Sequence, residues 1–219
     1  MPSSTSRIPF PRPGRRRPRT SADPTARHPQ RTARRPQRLR QPQRPHRPPT
    51  LTHAPGGDLV VFHIGMTIRA RHRPDLWGPV FLAMPPMIAE LSRNRDAAAR
   101  GEAEDLGFLH AETLIGKDGP WVVQYWRSVE QLYAYATDPD HAHLPAWKRF
   151  NAAARKHPGA VGVWHETYVV PASGIESVYV GGAAVGLARA VGTVPVAARG
   201  KAARERLASA GGPADVTPR

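Results

Sequence analysis

The chain has 219 residues, no cysteine and a formal charge of +15. That length allows one ordinary domain with extensions, and the missing thiols exclude disulfides, cysteine-ligated zinc, iron–sulfur clusters and cysteine nucleophiles. The charge is concentrated: residues 1–50 hold fourteen arginines and one acid, Asp23, which leaves the rest of the chain at only +2. A basic groove in the folded part is thereby disfavoured, and nucleic acid is expected to engage the N-terminal arm if it engages anything. No apolar run approaches the roughly 20 residues that span a bilayer, so no membrane partner is expected.

Residues 1–57 read as an Arg/Pro-rich extension. Twelve prolines among the first 50 residues remove backbone donors, and there is little apolar surface to offset the entropy of ordering. Disorder is expected to about residue 55. The arm has no apolar stretch of the kind a secretion signal carries, and its prolines preclude the amphipathic helix of a transit peptide. A cytoplasmic location is the resulting expectation. Translated upstream sequence, ahead of a start near Leu51, is the preferred explanation of the arm.

Residues 58–190 read as the folded domain. Leu59 to Ile68 is a β-branched, apolar run of strand type. Pro85 and Pro86 fit a first helical turn but not a helix interior. The pattern therefore predicts a short turn near Leu76 and a separate helix from about Pro86 to Ala99, with Ser92 to Asp105 a solvated end and loop. Leu106 to Ile115 and Trp121 to Trp126 read as strands joined by a hairpin at Gly116 to Pro120, with Asp-Gly at its centre. Ser128 and Gln131 have the spacing of a capping box. After Asp138-Pro139 a second helical piece is expected from about His141 to Lys156, where Leu144, Trp147, Phe150 and Ala154 share a face. Val161 to Val170 reads as a fourth strand and Ser177 to Val180 as a short fifth. From Gly181 the chain is expected to fray, and residues 191–219 to form a flexible basic tail.

This order, β-α-β-β-α-β, is a ferredoxin-like α+β unit. Its helices cover one sheet face, and a bare apolar face on a small domain must be covered. Self-pairing about a two-fold axis is the commonest solution. The expectation is a homodimer, a dimeric α+β barrel, whose subunits each enclose a pocket between the sheet and the helices or loops.

Five segments carry a resemblance: Phe62 to Met66, Ala83 to Met87, Gln124 to Ser128, His143 to Trp147 with Phe150 and Asn151, and Val163 to Tyr168. Together the chain resembles the DUF4188 family, bacterial proteins of unknown function classed with monooxygenase-like proteins. The resemblance implies an oxygenase acting on a hydrophobic small molecule of aromatic or polyketide type, with neither metal nor flavin.

Strand alternation predicts the faces. On the first strand, Phe62, Ile64 and Met66 should lie under the helices and His63 should face the barrel interior. His110 and Glu112 should share a face with Phe108. His63, His110, His165 and Glu112 are the candidate bases for deprotonating a phenolic or enolic substrate, since histidine titrates near neutrality. Each is equally readable as a hydrogen-bonded interior residue. Gln124, Trp126, Trp147, Asn151 and Tyr168 are candidate substrate contacts. No metal or cofactor is expected. The alternative is a haem-binding barrel with His143 as ligand, beside Trp147 at i+4, and a third reading is a non-catalytic ligand-binding dimer.

Overall fold

Leu59 to Ile68 forms the strand around which the domain is built, with both neighbouring strands antiparallel to it. The structure, a computed structural model, describes residues 48–182 and 184–209; the expected disorder of residues 1–47 lies outside them. The elements in chain order are β1 (Leu51–His53), β2 (Leu59–Ile68), α1 (Pro74–Ala99), β3 (Phe108–Ile115), β4 (Pro120–Trp126), α2 (Val129–Thr137), α3 (His143–Lys156), β5 (Val161–Val170), α4 (Leu187–Val191), β6 (Thr193–Pro195) and α5 (Ala203–Ala208). The four-stranded sheet has the order β3-β4-β2-β5, and β1 pairs with β6 in a separate two-stranded sheet. With α1 between β2 and β3 and α2 and α3 between β4 and β5, all on one face of the sheet, this is a ferredoxin-like α+β fold.

Val60, Phe62, Ile64 and Met66 do face the helices. At one end of that face Val60, Phe108 and Trp126 pack against Leu91 of α1 and against Leu132 and Tyr135 of α2. Trp126 is 0% exposed, and its indole N–H donates to Gln124 Oε1 over 2.9 Å inside this core. A buried indole nitrogen needs such a partner, so Gln124 and Trp126 form one interior unit.

Several sequence expectations are corrected. α1 is one helix of 26 residues with Pro79, Pro85 and Pro86 inside it. Pro85 and Pro86 withhold donors from the carbonyls of Phe81 and Leu82, and both of those residues are exposed, so water can take the place of the lost bonds. The capping box closes on one side only: Ser128 Oγ accepts from the Gln131 amide, but the Gln131 side chain donates to Asp105 O instead. Ser177 to Val180 is not a strand; Tyr179 makes a single bridge to Leu51. Residues after Gly181 do not simply fray, since α4, β6 and α5 are built from them. The segment around Leu51 is likewise ordered, because its strand partner lies some 140 residues away, at Thr193 to Pro195.

The alternation on β3 also fails at one point. A bulge between Phe108 and His110 shifts the register, so Phe108 turns into the helical core while His110 and Glu112 turn to the opposite face. That opposite face is not wholly bare. Leu187, Ala190 and Val191 of α4 pack on Leu59, Leu109, Tyr125 and Val170 at one end of it.

A buried polar cluster holds the C-terminal segment in place. Arg199 donates to His53 Nε2 over 2.6 Å, and His53 Nδ1 is 2.8 Å from Ser177 Oγ. Burial, reinforced by the Arg199 charge, pulls the His53 pKa down from 6.5 to about 4. The unfolded chain therefore binds a proton that the folded chain refuses between these values, and stability falls as the pH drops from 6.5 toward 4. The thermal midpoint is expected to decline over this interval, and His53→Gln, which keeps an acceptor for Arg199, should flatten the decline.

Candidate active site

At the end of the helix-facing sheet surface opposite Trp126, α1 and α3 stand away from the strands and leave a cavity of about 540 Å³. Its floor is Ile64 and Met66 of β2 with Val122 and Val163 of the flanking strands. α1 contributes Leu76, Val80, Met84 and Met87 to one wall, and α3 contributes His143, Trp147 and Phe150 to the other. The wall from α3 follows from helical spacing, since residues 143, 146, 147, 150 and 153 fall on one stripe. Trp147 and Phe150 stack with ring centroids 5.4 Å apart. A mostly apolar concave site with a few polar groups is the usual form of a small-molecule pocket.

His143 is the one imidazole in this lining. Its Nδ1 lies 2.8 Å from the carbonyl oxygen of Ala136. A carbonyl only accepts, so Nδ1 carries the proton and Nε2 of the neutral ring keeps its lone pair. No partner for Nε2 is recorded among the described residues. The same second-shell bond that orients a metal-ligating histidine also orients a general base.

The start of α3 is held by Glu90 of α1. Glu90 accepts from Tyr135 Oη at 3.0 Å, from the Ala142 amide at 3.1 Å and from His141 Nδ1 at 2.8 Å. Burial would raise the Glu90 carboxyl, but these hydrogen bonds outweigh it and hold the group below the usual range. The Tyr135 hydroxyl is pushed well up by burial and by the Glu90 charge. One carboxylate thus ties α1, the end of α2 and the start of α3 together, two residues from His143.

The candidate residues from the sequence are scattered over the domain. Trp147 and His143 line the cavity, whereas Asn151 does not. Gln124 and Trp126 are in the closed core. His63, His110, Glu112 and Tyr168 lie on the far face of the sheet. There the His63 ring meets Trp121 edge-on at 4.9 Å and Tyr168 at 5.6 Å, and Tyr168 donates to Glu166 over 2.7 Å. Glu112 accepts from the Gly186 amide over 2.7 Å. His110 Nε2 is 3.6 Å from Glu112 Oε1, too far for a hydrogen bond, and has no partner although buried; burial holds its pKa down. His165 pairs across from Ile64 on the helix side, but it is exposed and rests near Phe62. The four proposed bases therefore do not converge. Among the described residues no group of three or more His, Asp or Glu side chains is placed to hold a metal ion.

The sequence reading missed the α1 wall. The signal for the wall was present, in Leu76, Val80, Met84 and Ile88 at four-residue steps, but the prolines argued for a break.

Residues 59–187 match the family described as Monooxygenase af470-like. The chain belongs to that family. Monooxygenase af470 of Aspergillus fumigatus is 30% identical over 132 residues, which are 58% of this chain and 44% of that protein. The chain thus spans less than half the length of this curated relative. Among solved structures, SnoaB, a cofactor-independent oxygenase from Streptomyces nogalater, is 15% identical, with 51% of this chain and 91% of that chain covered and a TM-score of 0.34. A dimeric ferredoxin-like protein of unknown function from Jannaschia sp. CCS1 is 13% identical, with coverages of 49% and 97% and a TM-score of 0.32. The family match begins at the first residue of β2 and ends at the first residue of α4, so it contains every cavity-lining residue.

Replacing Glu90 by Ala would leave the buried Tyr135 hydroxyl and the Ala142 amide without their acceptor. Chemical denaturation should show a loss of about 1–3 kcal/mol, the range for orphaning buried donors.

Proposed function

We propose that this protein is a small oxygenase acting on a hydrophobic aromatic or polyketide-like compound bound between the sheet and the α1–α3 wall. The observation that carries the reading is the His143 ring: it borders an apolar cavity, and its bond to Ala136 O holds the proton at Nδ1, so that in the neutral ring the lone pair is on Nε2. Such a nitrogen can take a proton from an activated C–H or O–H of a bound substrate. For a methylene flanked by aromatic rings, the resulting carbanion can give electrons to O₂. One oxygen atom becomes the carbonyl, and the two methylene hydrogens leave with the other as water. No external reductant is needed for that balance. Family membership supports the oxygenase assignment, and the aromatic lining of Trp147 and Phe150 supports the substrate class.

A second reading uses the same ring. An imidazole with Nδ1 bonded to a backbone carbonyl is oriented as a proximal haem ligand would be, and the cavity wall is apolar enough for a porphyrin face. His143 would hold the iron, whose supply of redox chemistry would then replace the base mechanism.

Dimerisation belongs to the same proposal. His63, Trp121, Trp164 and Tyr168 form an aromatic patch on the half of the far sheet face that α4 leaves uncovered, and Tyr168 is 48% exposed. A second copy is the occupant we assign to it. Sedimentation at micromolar concentration should give the mass of two chains, and a monomer would refute the pairing.

Oxygen uptake with a panel of anthrones and quinols separates the enzymatic readings. His143→Ala is expected to reduce turnover by about 10²–10⁴-fold, the range of general-base catalysis, while His165→Ala leaves it within about twofold. Titration with haem is expected to give no Soret band. A Soret band lost in His143→Ala would establish the haem reading instead, and binding without turnover across the panel would leave a ligand-binding protein.

A further inference from the structure

The charges around the cavity are lopsided. α3 carries Lys148, Arg149, Arg155 and Lys156 and no acidic residue. Some arginines elsewhere in the described chain pair with carboxylates, among them Arg73 with Asp75, Arg100 with Glu102, Arg127 with Asp105 and Arg206 with Glu176. Others, such as Arg69, Arg93 and Arg204, do not, but they do not line the cavity. None of the four cations of α3 has a carboxylate partner among the described residues. Arg149 is the one of the four that lines the cavity. The cavity's single acid, Asp75, is already neutralised, since Arg73 grips both of its oxygens at 2.9 and 2.6 Å.

An apolar cavity with one uncompensated guanidinium at its edge is complementary to a molecule with an apolar body and one negative end. Resting on the cavity reading given above, we infer that the physiological ligand is an amphiphilic monoanion whose carboxylate or equivalent oxyanion is held by Arg149. The helix sets the ligand's direction. His143 and Arg149 are six residues apart, about 9 Å along the axis of α3 at 1.5 Å per residue. The acidic head is therefore anchored at Arg149 and the reacting carbon presented at His143, nearer the start of α3. Trp147, between the two, and Phe150, next to Arg149, take the apolar body. Arg149 is a binding residue in this scheme, and the proton at carbon is taken at His143 Nε2.

Three amphiphiles of one chain length test this: dodecanoate, 1-dodecanol and dodecylammonium, each titrated below its aggregation limit into the full chain. Quenching of the Trp147 fluorescence reports occupancy, with Trp147→Phe as the control for location. Dodecanoate is expected to bind at least about tenfold more tightly than either neutral or cationic counterpart, which corresponds to about 1.4 kcal/mol. In Arg149→Gln the preference for dodecanoate over dodecanol should fall to within about twofold, with dodecanol affinity unchanged. Arg155→Gln, which removes a cation outside the cavity lining, should keep the preference. Equal binding of dodecanoate and dodecanol by the wild type would overturn the anion assignment while leaving the cavity as a hydrophobic site. A preference that survives Arg149→Gln, or is lost equally in Arg155→Gln, would overturn the role of Arg149. Failure of all three amphiphiles to bind, or quenching indifferent to Trp147→Phe, would instead remove the cavity reading on which this inference rests.

Discussion

The helical layer closes tightly on only one end of the sheet, and the rest of the molecule follows from that. Around Trp126 the side chains of β2, β3 and β4 interlock with Leu91, Leu132 and Tyr135, and this core excludes solvent completely. Further along the same strands, the floor residues Ile64, Met66 and Val122 meet no such plug, and the space between sheet and helices remains open. Close packing at one end fixes the helices as rigid bodies. The gap at the other end can then persist without collapsing, which would require the core to be taken apart.

Glu90 extends this division to the chemistry. A partly buried carboxylate costs free energy unless its lone pairs are used, and here three donors from α2 and from the two residues that lead into α3 use them. The start of α3 is thereby fixed, and with it the His143 ring, whose second anchor is the carbonyl of Ala136. A residue intended to move protons must be held in one tautomer and one orientation. The three hydrogen bonds of Glu90 and the bond from His143 to Ala136 O fix the ring in this way.

The far face of the sheet has a different logic. Its upper half is covered by the chain itself, through α4, with Glu112 binding the Gly186 amide and the buried His53–Arg199 cluster fastening the segment beyond. Its lower half carries Trp164 laid closely over Gly65, where any side chain would collide with the indole. The surface that the chain itself leaves uncovered on this face is therefore an aromatic patch rather than the whole sheet. His63 and Tyr168 belong to that surface and not to the cavity.

What the sequence determined by itself was local. The apolar runs placed β2, β4 and β5 within a residue of their ends, the Asp-Gly turn placed the hairpin, and the helical stripe of α3 placed Trp147 and Phe150, because strand and helix periods are written in neighbouring residues. Tertiary structure decided the rest. Whether a proline breaks a helix depends on whether water reaches the carbonyl it deprives, which made α1 continuous. One bulged residue in β3 reversed the face of His110 and Glu112. β1 found β6 across the whole domain. Which histidine borders the cavity depended on where two helices part from a sheet. That separation is set by contacts between residues remote in the chain, and no period within any one segment records it.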